Sequence, residues 1–280
     1  MRLGAQIFES FNSPQEWISI LKRKNMRAAY CPVDENAGSA VISEYRKAAQ
    51  DADIVISEVG AWGYSLVHAD PDHRKKAFDY FVQRIRLADE IGAGCTVSVS
   101  GSRDGIWDRP HKLNQTEETF EMLVGIIQKM IDTAEPRYTK YALEPMPWMF
   151  PDSRENMKSL LDAVNRDAFA VHYDPVNIIT THDHFFNNGE YMKKFVETFG
   201  KQIVSCHLKD VAMDPAFNVV IWEKKAGGAD RNLDYKALFT ALENLDPEMP
   251  VMIEHLQNEE ENLAAEQYIR SQAEACGVTL

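Results

Sequence analysis

The sequence predicts an α/β protein of the (β/α)8 TIM-barrel class. Three observations carry this reading. Eight short apolar segments recur along the 280 residues, and most are near-continuous apolar runs rather than alternations. Runs of that kind suit strands buried on both faces, as in a parallel sheet. Helical patterns separate most of them, with no linker rich in Pro, Gly or Ser, and eight repeats suggest closure into a barrel. Finally, no Gly-rich phosphate fingerprint follows the first segment, which counts against an open dinucleotide-binding sheet.

In order, the first strand covers 2–8 and is followed by a helix over 14–24, capped by Ser13 with Pro14 at its first position. The second and third strands cover 27–31 and 53–57, with no helix assigned between them. A helix over 72–91 ends at the break Ile91-Gly92-Ala93-Gly94, and the fourth strand covers 94–100. The next helix, 116–133, places Phe120, Leu123, Val124, Ile127 and Met130 at helical spacing. The fifth strand covers 140–144, a helix capped by Ser153 covers 153–164, and the sixth strand covers 169–174. A helix over 190–199 ends at Gly200, and the seventh strand covers 203–207. The stretch 210–231 has no clear periodicity and contains Asp214-Pro215 and Gly227-Gly228. It reads as a long loop, either a functional lid or a surface insertion. A helix over 234–245 starts at an Asp234 cap, the eighth strand covers 251–254, and a last helix over 259–276 ends at Gly277. One domain over 1–280 is the expectation.

Bulk properties narrow the function. The formal charge of −13 repels phosphate backbones, so no nucleic-acid partner is expected. Cys31, Cys95, Cys206 and Cys276 form no CxxC or zinc-type spacing and read as free thiols in a reducing, cytoplasmic setting. The N-terminal stretch lacks the charged and apolar regions of a secretory leader. No run approaches 18 apolar residues, so no membrane span is expected.

In a parallel barrel, chemistry sits at the C-terminal ends of the strands. The fifth to eighth strands end at Glu144, Asp174, His207 and Glu254. Several carboxylates around one point are costly unless a cation compensates them. These four are therefore the candidate ligands of one divalent ion; Mn, Mg or Co suits three carboxylates and an imidazole, and Zn also fits. The alternative is an ion-pair network without metal. Residues two apart in a strand share a face. Lys209 is thus expected beside His207 at the same mouth, and His172 one layer below Asp174, as a packed residue or an orienting partner. His255 is expected to face outward, toward the helices.

At these residues the chain resembles the xylose isomerase-like barrels, a superfamily of ketose 3-epimerases, hydroxypyruvate isomerase, inosose isomerases and dehydratases, and endonuclease IV-type DNA-repair enzymes. The resemblance covers nearly the whole chain. It is carried by Glu144-Pro145, Asp174-Pro175-Val176-Asn177, His207-Leu208-Lys209-Asp210 and the stretch from Gly228 to Asp234. The third motif looks especially like the sugar isomerase and inosose dehydratase branch. The resemblance implies that Glu144, Asp174, His207 and Glu254 hold the metal, and that Glu144 and Glu254 also act as acid–base groups on opposite faces of the substrate. A metal chelating a carbonyl and its neighbouring hydroxyl acidifies the C–H between them by stabilising an enediolate. Two departures stand out. Asn177 occupies a position where ketose 3-epimerases carry histidine, so it can bond a substrate hydroxyl but cannot carry a proton. Lys209 has no counterpart in those epimerases; it can stabilise an oxyanion or protonate a leaving hydroxyl, which adds weight to a lyase. The trinuclear zinc site of the DNA-repair enzymes needs further histidines that the third and fourth strand ends, Glu58 and Ser100-Gly101, lack.

Around this centre, Trp62, Trp107, Trp148 and Trp222 fall in loops after strands, where they either wall a sugar site or pin loops to the barrel. Trp148, four residues past Glu144, is the foremost candidate, with Trp107, Asn177 and Glu58 as further substrate contacts; Glu58 is alternatively solvated. His182 and His184 read as surface residues, and Glu223 and Asp230 as solvated unless their loop closes as a lid. The leading expectation is a divalent-metal-dependent isomerase or epimerase acting on a keto-sugar or polyol, with catalytic Glu144, Glu254 and Lys209. The alternative is a lyase, a dehydratase or keto-glycoside elimination, on the same site. A non-catalytic binding subunit and an AP endonuclease-like protein rank below both. The expected partner is a small carbohydrate, and a homo-oligomer is compatible with the sequence.

Overall fold

The computed structural model describes residues 1–214 and 220–280. Eight parallel strands form a nearly closed barrel: β1 (Arg2–Ala5), β2 (Ala28–Tyr30), β3 (Val55–Gly60), β4 (Cys95–Ser98), β5 (Lys140–Leu143), β6 (Phe169–Tyr173), β7 (Ile203–Leu208) and β10 (Pro250–Ile253). Two further strands, β8 (Asp210–Asp214) and β9 (Val220–Lys224), pair antiparallel outside the barrel. The ladder runs β1-β10-β7-β6-β5-β4-β3-β2. Its two end strands meet at a seam bridged by the Arg27 N–H donating to the Leu3 carbonyl at 3.0 Å.

The helices are α1 (Pro14–Arg23), α2 (Ser39–Asp51), α3 (Pro71–Ile91), α4 (Glu117–Ala134), α5 (Arg154–Val164), α6 (His182–Phe186), α7 (Asn188–Phe199), α8 (Tyr235–Leu245) and α9 (Glu259–Ala275). Their starts follow from side-chain capping. Ser13, Thr116, Ser153, Asp234 and Asn258 each accept a hydrogen bond from a first-turn N–H. α3 starts one residue earlier than the sequence suggests, because Asp70 caps it and Pro71 opens it.

Two expectations need correction. The region between the second and third strands contains α2, whose Ile42, Tyr45 and Ala49 are buried at helical spacing. Its start carries no signal, since Gly38 caps it without a side chain and the first turn has no acid. The 210–231 stretch is not one irregular loop: β8 and β9 make a hairpin with Asp210 opposite Lys224 and Val211 opposite Glu223. Pro215 lies outside the described residues.

Inside the barrel, side chains alternate as the period-two rule requires. Cys95, Val97, Ala142 and Ala170 form a small inner apolar layer. The main core lies between strands and helices and includes Leu3, Phe81, Leu143, Tyr173, Phe195 and Leu238. Counting outward from Ala142 and Ala170, the next inward positions are Glu144 on one side, and His172 then Asp174 on the other. The inner layer thus forms the floor under the site.

Candidate metal centre

Glu144, Asp174, His207 and Glu254 converge at the C-terminal mouth, each offering a ligand atom within 4.8 Å of the others. His207 Nδ1 points at the carboxylates, 3.0 Å from Glu254 Oε2, 3.8 Å from Glu144 Oε2 and 4.0 Å from Asp174 Oδ2. It makes no aligned hydrogen bond to any of them. All four groups are nearly removed from water; the most exposed side chain, Glu254, retains 11% of its surface. Asp174 Oδ1 accepts the backbone N–H groups of Val176 and Asn177, so the turn after β6 fixes that carboxylate.

Lys209 joins the cluster, as strand parity predicts. Its buried ammonium lies 2.6 Å from Asp174 Oδ2, 2.6 Å from Glu254 Oε1 and 2.7 Å from Glu223 Oε2. Asp210, next in the chain, points away from the mouth. Its Oδ1 accepts N–H groups from Val211, Asn232 and Leu233, which pins the hairpin to the segment leading into α8.

His255 and Glu223 differ from their sequence-based placement, and most of the other candidates fall among the alternatives the sequence left open. Glu58 is buried rather than solvated: its Oε1 lies 3.1 Å from His207 Nε2 and its Oε2 3.8 Å from His172 Nδ1. Asn177 is committed to Glu144, donating from Nδ2 to Oε1 at 2.5 Å. His172 both packs and orients: its ring stacks edge-on to His207 with centroids 4.0 Å apart, and Nδ1 bonds the Ser205 hydroxyl. His255 does not face the helices. The strand ends at Ile253, His255 has φ of 57°, and its Nδ1 bonds Glu223. Alternation fails once the backbone leaves the extended region. Glu223 is drawn into the site rather than solvated, because the β8–β9 hairpin folds it back onto Lys209. Trp62, Trp107 and Trp148 line the cavity above the centre, whereas Trp222 projects from β9 with 55% of its surface exposed. His184 stacks on Tyr191, and Asp230 pairs with Lys224. Tyr30, absent from the sequence candidates, also lines the cavity and donates to the Ile253 carbonyl.

Electrostatics separates the carboxyls. Burial holds Glu144 well above the usual carboxylate range, with His207 opposing it. Asp174 is also raised by burial, against the pull of Lys209. Glu254 is pushed up by burial, but the charges of His207 and Lys209 outweigh it and hold it well below. Burial lowers His207, yet Glu254 and Glu58 more than reverse this. His172 is kept neutral by burial and by the neighbouring His207. Two positive groups, His207 and Lys209, therefore face Glu58, Glu144, Asp174, Glu254 and Glu223. That excess of carboxyls, all but Glu223 buried or nearly so, together with an imidazole nitrogen aimed at them without an aligned hydrogen bond, is the donor chemistry a hard or borderline divalent cation fits. Among the described residues, the other two groups able to hold an ion, Glu58–His172–His207 and Glu223–Glu254–His255, share residues with this one. They are extensions of the same centre.

A nearly closed parallel barrel with a carboxylate-rich mouth defines a class, and the comparisons agree with it. The chain belongs to the xylose isomerase-like TIM-barrel family, whose model matches residues 2–274. No curated protein matches it by sequence. D-psicose 3-epimerase with D-tagatose, from Clostridium cellulolyticum H10, superposes with a TM-score of 0.69 at 12% identity, covering 99% of this chain and 98% of that one. The IOLI protein with a bound zinc atom gives 0.67 at 20% identity, covering 99% and 97%. The probable 3-DHS dehydratase AsbF from Bacillus anthracis gives 0.69 at 11% identity, covering 96% and 97%. At these identities the likeness is one of fold.

Proposed function

We propose that the protein is a divalent-metal-dependent isomerase or epimerase acting on a keto-sugar or related polyol. The observation that carries this reading is the convergence of Glu144, Asp174, His207 and Glu254 at the mouth of the barrel, each with a ligand atom within 4.8 Å of the rest. An ion held by these residues, Mn2+, Mg2+ or Co2+ with Zn2+ also accommodated, would supply Lewis acidity to a carbonyl and its neighbouring hydroxyl. Glu144 and Glu254 stand on well-separated strands and face a common point, an arrangement suited to removing a carbon-bound proton on one face and returning it on the other. Asn177 fixes the Glu144 carboxyl through its 2.5 Å bond. The Lys209 ammonium faces the same point and opposes negative charge that develops on substrate oxygen. The four free cysteines fit a reducing cytoplasm, and among the described residues no helix is long and apolar enough to cross a membrane.

Lys209 favours one second reading, a lyase. A buried ammonium beside Glu254 and Asp174 can give a proton to a departing hydroxyl or alkoxide, so that proton removal ends in elimination.

Metal content is the first test. Dialysis against Mn2+ followed by metal analysis should find one ion per chain, lost in His207→Ala and Asp174→Asn. A protein that takes up no divalent ion overturns both readings. Incubation of the loaded protein with keto-sugars in D2O then separates them: isomerisation leaves mass unchanged apart from deuterium entering at carbon, whereas elimination yields an ultraviolet-absorbing enone. Glu144→Gln and Glu254→Gln should each stop deuterium entry.

A further inference from the structure

The donor cluster takes up only one side of a much larger space. The mouth encloses a cavity of about 840 Å3. Pockets for drug-sized ligands run from about 300 to 1,000 Å3, so this one holds far more than a single sugar ring. Most charged groups of its lining gather at the ends of β5, β7 and β10 and on β9, while Glu58 comes from β3, Arg84 from α3 and Asp108 from the loop after β4. The wall also carries six aromatic side chains: Phe11 after β1, Trp17 in α1, Tyr30 at the end of β2, Trp62 after β3, Trp107 after β4 and Trp148 after β5.

Two of these rings are held in place without being buried. Trp62 keeps 39% of its surface exposed and Trp148 keeps 37%. The Trp148 indole N–H donates to the Asp108 carbonyl at 2.8 Å, while its own carbonyl accepts from Asn114 Nδ2 at 2.9 Å. Asn114 is itself buried and also donates to Arg109 O. Trp62 folds back across Gly60, where a Cβ would stand 2.3 Å from its indole nitrogen; the chain has no side chain at the one place the ring must pass. Rigid, exposed aromatic faces lining a cavity form a stacking platform. The cations of this wall are already engaged. Arg84 donates to the Gly60 carbonyl and to Glu35, and Lys209 and His255 share Glu223. Each of these cations already faces an acceptor of the protein, so the wall favours a neutral group over an anionic one.

We propose that the site takes a glycoside rather than a free monosaccharide, with the sugar ring over the donor cluster and a neutral, flat aglycone stacked on Trp62 and Trp148. This rests on the metal-dependent sugar chemistry proposed above and specifies its substrate class.

The test is calorimetric titration of the Mn2+-loaded protein with two probes that share one sugar, p-nitrophenyl β-D-glucopyranoside and methyl β-D-glucopyranoside. A stacked ring contributes up to about tenfold in affinity, so the nitrophenyl glycoside should bind about tenfold more tightly. Trp62→Ala and Trp148→Ala should each remove most of that difference while leaving Mn2+ affinity unchanged; Trp62→Phe should retain part of it. Equal affinity for the two probes, no heat with either, or a preference that survives both tryptophan variants overturns the proposal. Mn2+ binding, measured separately, reports on the metal reading alone: an ion that binds with no ring preference leaves that reading intact and removes this one.

Discussion

The two nitrogens of His207 have separate duties. Nδ1 faces the carboxylates and Nε2 faces Glu58 at 3.1 Å. A carboxylate behind a ligating imidazole fixes its tautomer and ring plane and raises its basicity. Glu58 is thus a positioning residue for the centre, and removing only its charge should be felt at the ion. Glu58→Gln should lower Mn2+ affinity by about 10- to 100-fold, read by calorimetry, with the metal-free melting temperature as the control for folding. Unchanged affinity would mean that the pair only packs. The sequence placed Glu58 at a strand end but could not give its partner. Its side-chain hydrogen-bond partner is 149 residues away, and no local pattern encodes a contact across the barrel. The four principal donors were legible because each stands within one residue of a strand end, where period-two alternation still aims it inward. Lys209 was legible for the same reason. His255 was misplaced because its left-handed backbone breaks that alternation.

Among the elements, strands were readable from apolar runs and most helices from caps. α2 was not, since a glycine cap and an uncharged first turn give no start signal, although Ile42, Tyr45 and Ala49 carry the period. The β8–β9 hairpin was also hidden. Its run Val220-Ile221-Trp222 has strand character, but its pairing partner follows the seventh strand directly, separated by Lys209 alone. That continuity is what brings Glu223 back to Lys209. At the other end of the ladder, β1 approaches β2 so closely that a Cβ on Gly4 would stand 2.6 Å from the Ala28 carbonyl and 2.6 Å from the Met252 side chain. The backbone oxygen cannot withdraw cheaply. Gly4→Ala should therefore destabilise the fold by about 1–3 kcal/mol, seen as a lower urea midpoint with an unchanged slope. A midpoint equal to the parent's would show that the strands can move apart at no cost.

Across the whole molecule, the four donors come from β5, β6, β7 and β10, so an ion held by them would link half of the barrel's strands. Binding restricted to the folded state at a hundredfold excess over Kd adds about 2.7 kcal/mol. For a chain of this size that is a rise of about 5 °C or more in melting temperature, reversed by a chelator. Calorimetric scans with and without Mn2+ check it, and a melting temperature indifferent to the ion would contradict a site spanning these strands.

The seam between β1 and β2 has a mechanical consequence. Every neighbouring pair from β2 round to β1 is joined by a ladder, while the two end strands share the Arg27–Leu3 bond. Load is carried around the donor side by continuous ladders, and between β1 and β2 by that bond and by the close packing of Gly4 against the Ala28 carbonyl. The ring can open there only by giving up both, on the side where Phe11, Trp17 and Tyr30 line the mouth.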